Sequence, residues 1–210
     1  MNIATPISAL QPVGVRVLRH ETELKQFRDP ACAAAIWDRE VPKRVTDWLS
    51  ALDSDLLPNA RVISKCDAVK QIALEFCDIA GMPDAPERDW LIDDIALLAE
   101  MFSDLMQAPY MRLRLQAVTT NACRKFHRDA LTGRLVCTYR GAGTQYGTSL
   151  NGEDPDPVFT TPTGAPILLR GSLWPPEPGA GLLHRSPPIE GTGETRLVLV
   201  LDPLKDMDAA

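Results

Sequence analysis

The sequence predicts an α+β fold in which N-terminal helices pack on a C-terminal double-stranded β-helix, a jelly-roll barrel. Two observations carry that expectation. Between residues 22 and 107 apolar residues return every three or four positions, with proline or small polar residues between the segments. After Pro109 the pattern changes to short β-like runs separated by stretches rich in Gly, Pro, Asn and Asp.

Three helices are expected in the first half. The first places Val41, Val45, Trp48, Leu49 and Leu52 on one face and begins at Pro42, whose missing N–H costs nothing in a first turn. A second carries Val62, Cys66, Val69, Ile72, Phe76 and Ile79 and is stopped by Gly81 and Pro83. The third runs from about Pro86 to Gln107 with a stripe of Leu91, Ile95, Leu98, Phe102 and Leu105. Such stripes require an apolar surface to cover.

Four β-like runs follow: MRLRLQAV, RLVCTYR, PILLRGSLW and TRLVLVLD. In the first, Met111, Leu113, Leu115 and Ala117 alternate with Arg112, Arg114 and Gln116, as in a strand with one wet face. The last is apolar at every position from Leu197 to Leu201, which predicts burial on both faces under the helices. The division is therefore a helical region over 1–108 and a barrel core over 109–210, integrated as one domain; the polar loop at 151–157 is given no chemistry.

A chain of 210 residues buries enough surface to fold without staples. With net charge −6 and scattered Lys and Arg, it is a poor match for nucleic acid or an anionic membrane. The first 20 residues lack a basic start leading into an apolar run, and no stretch approaches a membrane span, so a soluble cytoplasmic protein is expected. The five cysteines are odd in number and irregularly spaced, unlike a disulfide framework or a zinc knuckle. Buried thiols such as Cys137 fit that pattern; Cys123, four residues before a histidine, is the exception to watch.

The chemistry concentrates on two of the three histidines. In CRKFHRD, His127 and Asp129 stand at i and i+2, which in an extended strand aims both side chains at one spot and turns Arg128 away. His184, in GLLHRSPP just ahead of the last strand, is brought alongside if the sheet closes on itself. Two imidazoles and a carboxylate form the facial triad that leaves three octahedral positions of a metal ion open, which fits Fe(II) first and other divalent ions second. Arg196, twelve positions after His184, begins the last strand, where its guanidinium either grips a carboxylate inside the barrel or caps the strand outside. Arg134 and Tyr139 are further candidates for cosubstrate contacts, although alternation puts them on opposite faces of RLVCTYR. Trp174 reads as a packed strand end or a substrate platform, and Arg185 as a substrate contact or a solvated side chain. His20 stands apart from all of these.

Together, CRKFHRD, RLVCTYRGAGT, LWPPE and LLHRSPP resemble a bacterial family known only as the domain of unknown function numbered 1826. That resemblance covers most of the chain and implies company with zinc-homeostasis GTPases of the metallochaperone type, but no activity. His127, Asp129, His184 and Arg196 are also similar to cupin-like oxygenases that use Fe(II) and 2-oxoglutarate, in which a basic residue at the place of Arg196 holds the far carboxylate of the cosubstrate. This second resemblance implies a hydroxylase acting on a small molecule or protein side chain. Three rivals remain: a cupin-type enzyme using Zn, Mn or Ni, a non-catalytic metal-handling protein of zinc homeostasis in which Cys123 closes a four-ligand site, and a protein that binds no metal, its histidines being structural.

Overall fold

A computed structural model describes residues 10–121, 123–174 and 179–207. A large sheet runs through the middle of it. Its strands are β1 (Val15–Leu18), β2 (Ala34–Trp37), β3 (Asn59–Lys65), β4 (Tyr110–Val118), β5 (Gly133–Arg140), β8 (Ile167–Arg170) and β10 (Arg196–Leu204), in the order β1-β2-β8-β5-β10-β4-β3. Only the β1–β2 pair is parallel. A smaller antiparallel sheet contains β6 (Gln145–Thr148), β7 (Phe159–Thr160) and β9 (Leu182–Arg185), ordered β7-β6-β9. His127 joins this sheet through a bridge to His184, each backbone N–H donating to the other's carbonyl at 3.0 Å.

Helices cover one face of the large sheet and the small sheet covers the other. α3 (Pro86–Met106) begins with Pro86 in its first turn and ends where Gln107 takes a left-handed φ of 52°. Its Leu91, Ile95, Leu98 and Phe102 pack in one core with Leu135, Cys137 and Tyr139 of β5 and Leu197, Leu199 and Leu201 of β10. Each such fully buried side chain contributes about 1.5–3 kcal/mol. On the opposite face, Val136 and Val198 pack with Tyr146 of β6 and Leu182 of β9 in a second core. β10 is therefore enclosed from both sides, as its unbroken apolar run requires.

The first half differs from the helical expectation. α1 (Lys43–Ala51) and α3 form where periodicity places them, but the second helix is shorter: α2 spans Val69–Ala80. Val62 lies in β3, and Cys66 opens a single 3-10 turn. The 3.6-residue spacing through Val62 and Cys66 is coincidental, because β3 finds a long-range partner in β4, with Val62 opposite Leu113. Residues Ala34–Trp37 likewise pair with β8, so the first half supplies three strands to the sheet formed by the second. Among the described residues no helix is long and apolar enough to cross a membrane.

Candidate metal centre

The segment carrying His127 and Asp129 is held from two sides. The bridge to β9 fixes His127. Beyond it, Asp129 accepts a backbone hydrogen bond from Ser172 at 2.9 Å, and Thr132 accepts one from Gly171 at 2.9 Å. A Cβ at Gly171 would stand 1.8 Å from the Leu131 carbonyl, so the Asp129–Leu131 turn reaches its place only because that residue has no side chain. Gly171 also ends β8, which is why PILLRGSLW yields a strand of only Ile167–Arg170.

His127, Asp129 and His184 each present one ligand atom, and those atoms lie within 4.8 Å of one another. The imidazole rings are 4.5 Å apart between centroids. His127 Nδ1 lies 2.9 Å from the Lys125 carbonyl, a contact that holds the proton on Nδ1 and leaves the Nε2 lone pair facing the cluster. Asp129 Oδ1 accepts from Arg134 Nη1 at 2.5 Å. Its other oxygen, Oδ2, lies 3.1 Å from His184 Nε2 yet has no donor aligned on it, so it is a buried oxygen without a hydrogen bond. Two imidazole nitrogens and an orphaned carboxylate oxygen are a donor set suited to a divalent cation.

Electrostatics keep the carboxylate charged. Burial alone would raise its pKa, but contacts with both histidines and the charge of Arg134 hold Asp129 well below the usual carboxylate range. Asp129 draws the pKa of His127 up, against the effect of burial. Burial pushes that of His184 down, against the pull of Asp129.

The triad opens on a cavity of about 140 Å³ between the sheets, walled by Val136, Val198 and Val200. Arg196 lies in it and is buried, with Nε donating to the Ala142 carbonyl at 2.6 Å and Nη2 to Thr138 Oγ1 at 3.2 Å. No carboxylate forms an ion pair with it among the described residues, and burial, opposed by the charge of Glu194, brings its pKa down to about 10. The inward orientation of Arg196 is thus the one adopted. Arg185 also lines the cavity, stacked 4.2 Å from the Phe126 ring and hydrogen-bonded to Gln145 Oε1 at 2.8 Å.

Other candidates fall elsewhere. Arg134 lines the cavity but spends its guanidinium on Asp129 and, through Nε and Nη2 at 2.6 and 2.9 Å, on Asp202, making it a tether for the carboxylate. Tyr139 faces the helices, its hydroxyl donating to Asp94 Oδ2 at 2.6 Å, so it is not a cosubstrate contact. Trp174 is not at the triad: it packs edge-on against Phe27 and lines a separate apolar cavity with Leu105 and Met106; Pro175 and Pro176 lie outside the described residues. Cys123 lines the triad cavity but is not part of the ligand cluster, and Cys137 is buried on the helix side, its thiol pushed up to about 12. His20 precedes a 3-10 helix, where its N–H donates to Glu23 Oε2 at 2.9 Å. Asp202 is a site residue that the motifs do not mark; its signal in the sequence is a lone carboxylate in an otherwise apolar strand.

Residues 19–202 match the family model described as "Protein of unknown function (DUF1826)". The chain belongs to this family. A search of curated proteins returns no match. Among solved structures, the fold is similar to that of dioxygenase for auxin oxidation 1 from Arabidopsis thaliana in its binary complex with 2-oxoglutarate, at 11% identity over 95% of this chain and 94% of that one, with a TM-score of 0.54. The rice dioxygenase for auxin oxidation aligns at 16% identity over 93% of this chain and 84% of that one, with a TM-score of 0.47. An oxidoreductase of the 2OG-Fe(II) oxygenase family from Burkholderia pseudomallei aligns at 13% identity over 91% and 96%, with a TM-score of 0.42. At such identities the likeness is one of fold alone: a mixed α/β chain built on a large sheet, similar in fold to the Arabidopsis dioxygenase.

Proposed function

We propose that this protein is a non-haem oxygenase that uses Fe(II) and 2-oxoglutarate to hydroxylate a small molecule or a protein side chain. The observation that carries this reading is the pairing, in one cavity, of a His-Asp-His ligand set with a buried arginine that forms no ion pair among the described residues. An ion bound by Asp129 Oδ2 would give that oxygen the partner it lacks. A carboxylate at Arg196 would do the same for its buried charge.

His127, Asp129 and His184 would hold the iron. Bound iron would supply oxygen activation coupled to oxidative decarboxylation of the cosubstrate, one oxygen atom entering succinate and the other a substrate C–H bond. The protein's own contribution is position. Arg134 keeps the Asp129 carboxylate ionised and fixed between β5 and β10. The Lys125 carbonyl keeps the His127 proton on Nδ1. Arg196 anchors the far carboxylate of 2-oxoglutarate, and Val136, Val198 and Val200 give the space between these groups a dry wall.

The test is an anaerobic titration of metal-free protein with Fe(II) and then 2-oxoglutarate, followed by the visible charge-transfer band of a chelated 2-oxo acid. The band is expected, and Arg196→Ala should weaken cosubstrate binding by roughly tenfold or more, the effect of losing a charge-assisted contact. Tight metal binding without any band would reject the cosubstrate.

A further inference from the structure

The polar face of β4 borders the triad cavity through Arg114 and Gln116, and its surroundings are crowded with positive charge. Arg112 and Arg114 share that face with Gln116, and Arg61 of β3 stands directly opposite Arg114. Like charges placed directly across an antiparallel pair are destabilising. Arg134 adds a fourth guanidinium, against the two carboxylates Asp129 and Asp202. In a chain of net charge −6 this local surplus is out of character.

Nor is the surplus neutralised inside the protein. Among the described residues the Arg114 guanidinium makes one hydrogen bond, from Nη2 to Asp202 Oδ2 at 3.1 Å, and its Nε is buried without a partner. Arg112 Nε is buried and unpartnered as well. Burial, with Arg134 and Arg61 acting against Asp202, pulls the Arg114 pKa below its ordinary value. The strand positions are also set apart from Arg196: along β10, Arg196 pairs with Val118 while Val200 pairs with Arg114. Four residues of strand separate the two levels, about 13 Å at 3.3–3.4 Å per residue. One carboxylate of a small dicarboxylate at Arg196 would therefore leave the Arg114 end to another anionic group.

We infer that the substrate carries a carboxylate or phosphate group and that Arg114, with Arg61 beside it, binds this oxyanion at the β3–β4 side of the cavity. This rests on the oxygenase reading for the word substrate, but the anion site itself does not. A fork of guanidinium donors fits both oxyanions, so chemistry alone leaves the source to experiment.

The probes are inorganic phosphate and benzoate, each titrated into the full chain loaded with redox-inert Zn(II) and saturated with 2-oxoglutarate, with the arginine Nε–Hε resonances as readout. A saturable shift of Arg114 is expected, with Arg196 unmoved; phosphate alone acting would assign a phosphate-bearing substrate, benzoate alone a carboxylate. Arg61→Gln, at an exposed position where folding is safe, should weaken the response about tenfold, and Arg114→Lys should weaken it while keeping the charge. No Arg114 shift with either anion at tens of millimolar, while 2-oxoglutarate moves Arg196, overturns the inference and leaves the oxygenase intact. A 2-oxoglutarate-dependent shift of Arg114 that blocks both anions also overturns it, by making Arg114 a cosubstrate residue. Anion binding at Arg114 without any 2-oxoglutarate binding upholds the oxyanion site and removes the oxygenase.

Discussion

Two largely enclosed aspartates lie on opposite sides of the large sheet, and they are completed differently. Asp94, on α3, has Oδ1 paired with Arg39 Nη1 at 2.5 Å and Oδ2 with both Arg39 Nη2 and the Tyr139 hydroxyl at 2.6 Å. Asp129 has one oxygen held by Arg134 at 2.5 Å and the other left without a hydrogen bond. Both carboxylates are nearly enclosed, with side chains 5% and 12% exposed. A buried carboxylate whose oxygens are all supplied by protein donors joins a helix to a sheet. One left open toward two imidazole nitrogens keeps an oxygen able to accept a divalent cation.

The comparison breaks most easily at Asp94. Asp94→Ala leaves Arg39 buried without its partner, and loss of one member of a buried pair costs about 3–5 kcal/mol. For a chain of this size the midpoint of thermal unfolding should fall by roughly 10 °C, read by calorimetry. Metal affinity of the folded fraction should not change. Asp129→Ala should do the reverse: Arg134 keeps both hydrogen bonds to Asp202, so the fold persists, while Zn(II) affinity measured by competition with a chelating dye falls by more than 100-fold. That exceeds the roughly 10- to 100-fold typical of an outer partner, the effect expected of Arg134→Lys. If Asp94→Ala abolishes metal binding in protein that is still folded, the division between the two faces is wrong.

How far the sequence shows this division depends on distance along the chain. His127 and Asp129 were legible because their convergence is local, set by strand alternation across two residues. The same alternation separated Tyr139 from Arg134, and the structure sends Tyr139 to Asp94 and Arg134 to Asp129. Contacts made across long separations were not legible. Asp202 meets Arg134 over 68 residues, and Arg39 meets Asp94 over 55; neither pair has a spacing that marks it. β2 is not legible for a related reason: Ala34–Ala35–Ile36 has little strand propensity of its own and becomes a strand because β8 lies opposite. Alternation along β4 shows that one of its faces is polar, but only the tertiary fold places Arg114 and Gln116 of that face against a cavity.

The smallest effect, and the one that separates the two histidines, is pH. Metal binding requires neutral imidazole nitrogens. Asp129 raises the pKa of His127 above the ordinary 6.5, whereas burial lowers that of His184, so as pH falls His127 takes up the competing proton first. Zn(II) affinity should be level at alkaline pH, begin to fall above pH 6.5, and then decline about tenfold per unit. Metal-free protein should respond with the opposite sign at this residue. A raised folded-state pKa means that the His127 contribution to stability is fully present below the unfolded value and is lost as pH rises through the folded one. Chemical denaturation of the metal-free protein, compared with His127→Gln, checks that sign. If the metal-affinity curve instead turned over only below 6.5, His127 would not carry a raised pKa, and the assignment of the first competing proton to it would be wrong.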